Sequence, residues 1–522
     1  MEIARRNMLK GAAAMAGAGA LAASNIALAD EAAADTTWDQ EADIVVVGAG
    51  MGGLCAGLQA LQDGVEKVTI VEISKWLGGG TSFSAGSIHV GFGGSDEDEF
   101  NQNSHYQNVN NPRAYKAFSE IPGLIEWLDG QGMPLSANLD VPVASMLDAD
   151  GNPTLDGPHN FFDAFGQKFQ DEGGTLLTQT GAKEIVTNVR GEICGLRCTD
   201  AEGKTLMIKT SQIVLSCGGF QNDSELMQRY VGVNADMGGC MGVPYNTGAG
   251  MKMAAKLGAS LEGDFERFAG LFMLAQPVKN WMSDPDAYES HGYDMEPYGK
   301  HWMFASCIVK LPQQGIVVDA NGVRVGDETG GNAPLYEMIR SPRGTGIAIT
   351  DADGWDYWMT QTSFTFEDFG QQFERVISSP ELGGIFYEAD SIEELADALN
   401  NSGIANHQID KAALLATVEE FNAAAEAGTG DQLTIPHPNA VALVKPPFHA
   451  VPVTAAVFAN FGGLAINDRA QVLDCSHQPI AGLYATFPCA GSLMHEYYGG
   501  GIAHAGVTGR WAADAAAEAL QA

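Results

Sequence analysis

Apolar and polar positions along this chain keep two rhythms, and the changes between them mark its elements. Ile44–Val47 is an unbroken β-branched run, the pattern of a strand buried on both faces. It passes straight into Gly48-x-Gly50-x-x-Gly53, then into the helical stretch Leu54–Leu61. A second apolar run, Val68–Val71, follows and is closed by Glu72. Near the other end, Ala503–Leu520 predicts a long helix with small residues on its packing face. Between them, segment 391–427, with S-I-E-E-L-A-D-A-L and K-A-A-L-L-A-T-V-E-E-F-N, predicts two capped amphipathic helices whose acids and Leu/Ala stripes are ordinary helix faces.

The first of these stretches carries chemistry. Gly48 permits a tight turn, Gly50 lets the backbone approach a pyrophosphate, and Gly53 lets the helix pack on the strand. The helix start, at Ala49–Gly53, offers free N–H groups and the positive end of a dipole to phosphates. Glu72, about 20 residues on, is placed to bind a ribose hydroxyl. Strand, glycines, helix, strand and acid in register predict a dinucleotide site, with Gly52 inside the same turn. A second loop, Gly78-Gly79-Gly80-Thr81-Ser82-Phe83-Ser84-Ala85-Gly86, is small enough for a flat ring system to approach closely. No second strand-glycine-helix unit appears, since Gly344-Thr345-Gly346 lacks the third glycine and a following helix.

What precedes the first strand reads as a signal, not as fold. Arg5-Arg6-Asn7-Met8-Leu9-Lys10 is followed by the small-residue run Gly11–Ala23 and by Ala27-Leu28-Ala29. A basic start, a moderate apolar stretch and an A-x-A site predict an export signal over residues 1–29. The adjacent arginines resemble the twin-arginine type, which carries folded proteins across the cytoplasmic membrane. The expected location is the periplasm or the outer face of the cell envelope.

Charge narrows the partners. The chain carries a formal net charge of −37, and removing residues 1–29 takes away Arg5, Arg6, Lys10 and Glu2, a net +2, to leave −39. Such a surface repels nucleic acid and anionic lipid; it suits a basic electron-donor protein, though most of it is solvated surface. None of the eight cysteines forms a C-x-x-C pair, and no iron–sulfur, haem or zinc pattern is present, so no metal is expected. Cys194 and Cys198 lie four apart in a strand-like stretch and are expected to share a core face.

With these residues in place the chain resembles the flavoprotein family of fumarate reductase, succinate dehydrogenase, urocanate reductase and the 3-ketosteroid dehydrogenases. Gly48–Glu72 and Gly78–Gly86 carry the resemblance first. Further matches follow in order: Ile121–Leu128 with its Trp-Leu pair, Leu176–Gly219 as strand, meander and strand, Thr247-Gly248-Ala249-Gly250 without the usual acid, and Gly315–Glu328 as strand-turn-strand. Phe461–Leu464 and Ile480–Ala485 then mark a return to the first domain. The resemblance implies an α/β fold: a Rossmann-like, GR2-type FAD-binding domain at 38–263 and 456–522, with an inserted α+β capping domain at 264–455. It implies FAD bound non-covalently, because no histidine stands in Thr81–Ala85 where the succinate dehydrogenases attach theirs. The implied FAD-binding residues are Gly48, Ala49, Gly50, Gly52, Gly53, Glu72, Gly79, Gly80, Thr81, Ser84, Ala85, Gly86, Ala182, Cys217, Gly218, Gly219, Gly501 and Ile502. Phe487-Pro488 departs from the acid or amide that many relatives place against the ribitol.

On the substrate side the resemblance changes branch. Where fumarate reductases have two clamp histidines, this chain reads Gln276 and Ala459; the clamp arginine aligns with Glu496, and the proton-relay positions read Ile308, Leu311 and Asn332. Two carboxylates need roughly two cationic clamps. In their place stands His495-Glu496-Tyr497-Tyr498-Gly499-Gly500-Gly501, which looks like the H-x-Y-x-G-x-G pattern of the ketosteroid dehydrogenases. By that resemblance Tyr497 or Tyr498, with the Gly501 N–H, holds a carbonyl oxygen; the alternative for both tyrosines is packing between domains. Tyr298, Trp302, Phe304 and Tyr336 are candidates for an apolar pocket or for ordinary core. The expectation is an FAD-dependent ene reductase or dehydrogenase acting on a C=C or CH–CH bond beside a carbonyl in a neutral, bulky small molecule, supplied with electrons by a separate donor protein or membrane carrier. The alternatives are a fumarate- or urocanate-type reductase and a flavoprotein that only relays electrons.

Overall fold

The structure, a computed structural model, describes residues 37–84, 86–89, 111–136, 143–154, 156–275, 284–291, 314–329, 333–360, 377, 385–495 and 498–522. Its centre is a six-stranded sheet. β1 (Ile44–Val47), β2 (Val68–Val71), β3 (Thr175–Leu177), β4 (Gln212–Leu215), β5 (Gln471–Leu473) and β6 (Pro479–Ala485) lie in the order β5-β6-β4-β1-β2-β3. All neighbours are parallel except β5 and β6. β1 is central, with Ile44 opposite both Val68 and Gln212, and every residue of β1 and β2 is buried. A strand covered on both faces has no polar side to offer. Each such Val or Ile contributes about 1.5–3 kcal/mol on leaving water, which is why these runs do not alternate.

Helix α1 (Met51–Gln62) leaves the C-terminal end of β1, α2 (Gly157–Asp171) presents Phe161, Phe162, Phe165 and Phe169 to the core, and α3 (Gly501–Gln521) closes the chain. α3 lies along α1 at backbone distance: a Cβ on Gly509 would stand 2.2 Å from Gly52 O, and one on Gly506 would meet Leu124 and Cys55. This contact aims the start of α3 at the glycine turn after β1. A four-stranded sheet, with the antiparallel meander 181–187, 193–199 and 205–209, stands beside the core; within it Cys198 is fully buried and Cys194 half-buried.

A second sheet is built on one long strand, Phe448–Asn460, whose residues are almost all buried. Strands 316–318, 346–350, 268–274 and 387–389 join it, as does the short strand 239–240. The expected boundary at 455/456 thus falls inside a continuous strand, and Gly239–Cys240, from the expected first segment, pairs in the second sheet. Helices Ile392–Asn401 and Lys411–Ala427 occur where the periodicity predicts them, capped by Ser391 and Asp410. Among the described residues no helix is long and apolar enough to cross a membrane. The expected signal at 1–29 lies outside the described residues.

One acidic contact between helices gives a pH test. Asp514, on the exposed side of α3, has its carboxyl pushed up to about 6 by partial loss of water against neighbouring chain first, and then by the charge of Asp63 at the end of α1; Arg510 opposes. Its folded value lies above the ordinary 3.8, so its contribution is fully present below about pH 4 and is lost as pH rises through 6. Asp514→Asn is therefore expected to raise the melting temperature at pH 7–8, with the gain shrinking to nothing near pH 4. Melting curves across that range check it.

Candidate active site

The glycine turn is set by contacts that no side chain tolerates. Gly48 has φ +105°, and a Cβ there would lie 2.4 Å from Ser216 O on the neighbouring strand's exit. A Cβ on Gly53 would lie 1.9 Å from Gly48 O, and one on Gly52 would lie 2.6 Å from Thr486 Oγ1. Gly50 differs: its nearest neighbour would be Gly78 O at 3.5 Å, an ordinary contact, because this face is turned to open space. Gly218, at φ +76°, comes so close to Asn246 that a Cβ would stand 2.1 Å from its Oδ1.

At the end of β2, Glu72 is buried and both its oxygens are held. Oε2 accepts the Ala49 N–H at 2.7 Å and Oε1 the Ser74 N–H at 2.9 Å. Burial pushes its carboxyl above the usual range, and these two N–H groups pull the other way. Nearby, the Tyr245 hydroxyl donates to Glu289 Oε1 at 2.8 Å, and the Tyr245 and Tyr288 rings meet edge-on at 6.0 Å.

Of the expected cofactor residues, Gly48, Gly50, Gly52, Glu72, Gly79, Gly80, Thr81, Ser84, Ala182, Cys217, Gly218, Gly501 and Ile502 line one cavity of about 340 Å³. Ala49, Gly53, Gly86 and Gly219 do not line it. Ala49 holds Glu72; Gly53 packs on Gly48; Gly86, at φ +70°, runs against Pro158; and Gly219 lies against Gln221 and Asn460. Their part is to let backbone pass behind the wall. Ala85 and Tyr497 lie outside the described residues, as do Gln276, Tyr298, Trp302, Phe304, Ile308, Leu311, Asn332 and Glu496.

The same cavity reaches the start of α3, where Gly500 caps the helix at φ +98°. Its first turn carries no acid, so its free N–H groups and the positive end of its dipole act on the cavity. Tyr498 stands here, packed edge-on against Phe458 at 4.9 Å. Its hydroxyl lies beside Gly501, where a Cβ would stand 3.3 Å from it, and burial pushes its ionisation up to about 12. The tyrosine and the backbone donor are thus neighbours at the helix start. Ala459, at the position of a clamp histidine, faces the cavity, and no described residue lining it is lysine or arginine. Of the two readings of Tyr336, pocket or core, the structure gives core: it is buried, packs on Phe268, and donates to Phe268 O at 2.9 Å.

Sequence reasoning missed His89, Phe458, Leu271, Met241, Tyr245 and Tyr288, all on the cavity wall. For His89 a signal existed, because Ser87-Ile88-His89 alternates as a half-buried strand does. The others are apolar or aromatic residues whose place depends on distant chain.

The cradle fits a flavin dinucleotide. Close backbone replaces side chains where a pyrophosphate must pass, an acid is held at the end of β2, and a helix start faces the remaining space. The chain belongs to the FAD binding domain family, which it matches over residues 43–504, and FAD is its cofactor. Among particular relatives, it is 25% identical to the NADH:acrylate oxidoreductase of Vibrio harveyi over 376 residues, 71% of this chain and 33% of that one. The chain therefore spans about a third of that relative's length. It is 24% identical to the vinyl phenol reductase of Lactiplantibacillus plantarum (88% of this chain, 91% of that one) and 24% identical to the digoxin reductase of Eggerthella lenta (95% and 93%). Its fold is similar to that of the 3-ketosteroid delta1-dehydrogenase from Sterolibacterium denitrificans, with a TM-score of 0.69 at 19% identity over 92% of this chain and all of that one.

Proposed function

We propose that this chain is an FAD-dependent oxidoreductase that reduces a C=C bond next to a carbonyl in a neutral, bulky substrate. One observation carries the reading: the Tyr498 hydroxyl, beside Gly501 at the start of α3, stands in a cavity whose described wall has no lysine or arginine. A dicarboxylate needs cations there, whereas a carbonyl oxygen needs neutral donors. The two relatives of matching length named for digoxin and vinyl phenol support a reductase of a neutral molecule.

FAD, when bound, supplies the hydride. The chain's own residues bind the carbonyl. With its ionisation near 12, Tyr498 keeps its proton at neutral pH and can hold the carbonyl oxygen by a hydrogen bond, while the α-carbon takes its proton from solvent. The dipole of α3 favours the negative charge that develops on that oxygen. Phe458, Leu271, Met241 and Phe487 line the same space with apolar surface. The glycines and Glu72 would hold the cofactor through backbone and one carboxylate, without covalent attachment.

Electrons come from a separate carrier in this reading. Export by the twin-arginine route belongs to it too and rests on Arg5-Arg6 and the small-residue run alone. The substrate class is tested by ligand titration of the oxidised holoprotein. A neutral enone such as benzylideneacetone should perturb the flavin absorbance bands and succinate should not; perturbation by succinate alone would overturn the reading.

A further inference from the structure

An oxygen that gains negative charge is held better by two donors than by one, and the Tyr498 hydroxyl is one of them. The strand 87–89 supplies another. It pairs antiparallel with 143–145, and its alternation sends Ile88 fully into the core while Ser87 and His89 line the cavity. The His89 ring meets the Tyr498 ring edge-on, with centroids 5.9 Å apart and planes at 87°. The cap of α3 presses on the same histidine: a Cβ on Gly500 would stand 3.0 Å from His89 Cβ. Strand and helix cap together hold both polar rings beside the first turn of α3.

We propose that His89 is a substrate-binding, specificity-determining residue whose neutral imidazole donates a second hydrogen bond to the substrate's carbonyl oxygen, beside the Tyr498 hydroxyl. The inference rests on the carbonyl substrate proposed above and names its second partner. Burial alone pulls the imidazole down to about 4, with no charged group contributing. Among the described residues, the groups facing it include the Tyr498 phenol from the start of α3 and, beyond that ring, Phe458 of the long strand. Across neutral pH His89 is therefore a dipolar donor and not a cation. This selects a carbonyl over a carboxylate, for which a charged residue would be the better partner.

The test uses His89→Phe and His89→Gln, each purified as holoprotein. Two quantities are measured: the FAD dissociation constant by fluorescence, and the rate at which benzylideneacetone reoxidises the anaerobically reduced flavin. His89→Phe keeps the ring's shape and loses the donor, so its rate should fall by about 10² with FAD affinity unchanged. His89→Gln restores a neutral donor and should recover most of that loss. Wild-type speed in His89→Phe, equal losses in both variants, or a parallel loss of FAD affinity would each overturn the assignment, the second by pointing to shape and the third to cofactor packing. Failure of the carbonyl reading itself looks different: wild-type protein would then be reoxidised by fumarate and not by the enone.

Discussion

Tyr498→Phe is expected to lower turnover by about 10²–10³ and to leave the flavin spectrum and FAD affinity as they are. The ring would still pack against Phe458 and His89, and the residues proposed to hold the cofactor, Gly48–Gly53 and Glu72, would be unchanged. What disappears is the hydroxyl beside Gly501. The loss therefore falls on the oxygen where charge develops, not on ground-state packing. Steady-state rates with a neutral enone, together with FAD titration of the same preparation, check it. Tyr497→Phe should stay within a few-fold of wild type. A silent Tyr498→Phe would leave Tyr498 a packing residue.

The second large effect separates two glycines of one turn. Gly53→Ala forces a Cβ to within 1.9 Å of Gly48 O, a backbone atom that cannot rotate away. Overpacking of this kind costs about 1–3 kcal/mol and occasionally more, so the apoprotein should melt several degrees lower and take up little FAD. Gly50→Ala meets only Gly78 O at 3.5 Å. Its apoprotein should melt like wild type, yet it should fail to retain FAD, because the added methyl stands where the backbone must approach the pyrophosphate. Thermal denaturation of both apoproteins, followed by FAD titration, distinguishes the two roles. If both variants behave alike, the division between packing glycine and contact glycine is wrong.

That division was legible in the sequence because it is local. Strand, turn and helix lie within a short run, and a glycine spacing carries its own steric reason. Glu72 was legible for the same cause: it closes the strand paired with β1. The start of α3 was less so. The motif named Gly501 but left Tyr497 and Tyr498 equal; the closeness of the Tyr498 hydroxyl to Gly501, beside the left-handed cap at Gly500, belongs to the fold. His89 could be put on a strand, but only the pairing with 143–145 and the contact with Gly500 turn it to the cavity. Tyr336 stayed open between two readings, because an aromatic residue in an apolar segment looks the same whether it lines a pocket or, as here, packs on Phe268 in the core. The inserted segment is hardest to delimit, since one strand, Phe448–Asn460, serves both the second sheet and the cavity wall.

The most direct test of the central claim is reoxidation of the anaerobically reduced holoprotein in a stopped-flow instrument, mixed separately with neutral enones, fumarate and urocanate. The account predicts rapid return of the oxidised flavin spectrum with an enone, formation of the saturated ketone in equal amount, and no acceleration by fumarate or urocanate. Rapid reoxidation by fumarate or urocanate with none by any enone would contradict it, as would reoxidation by dyes or protein carriers alone.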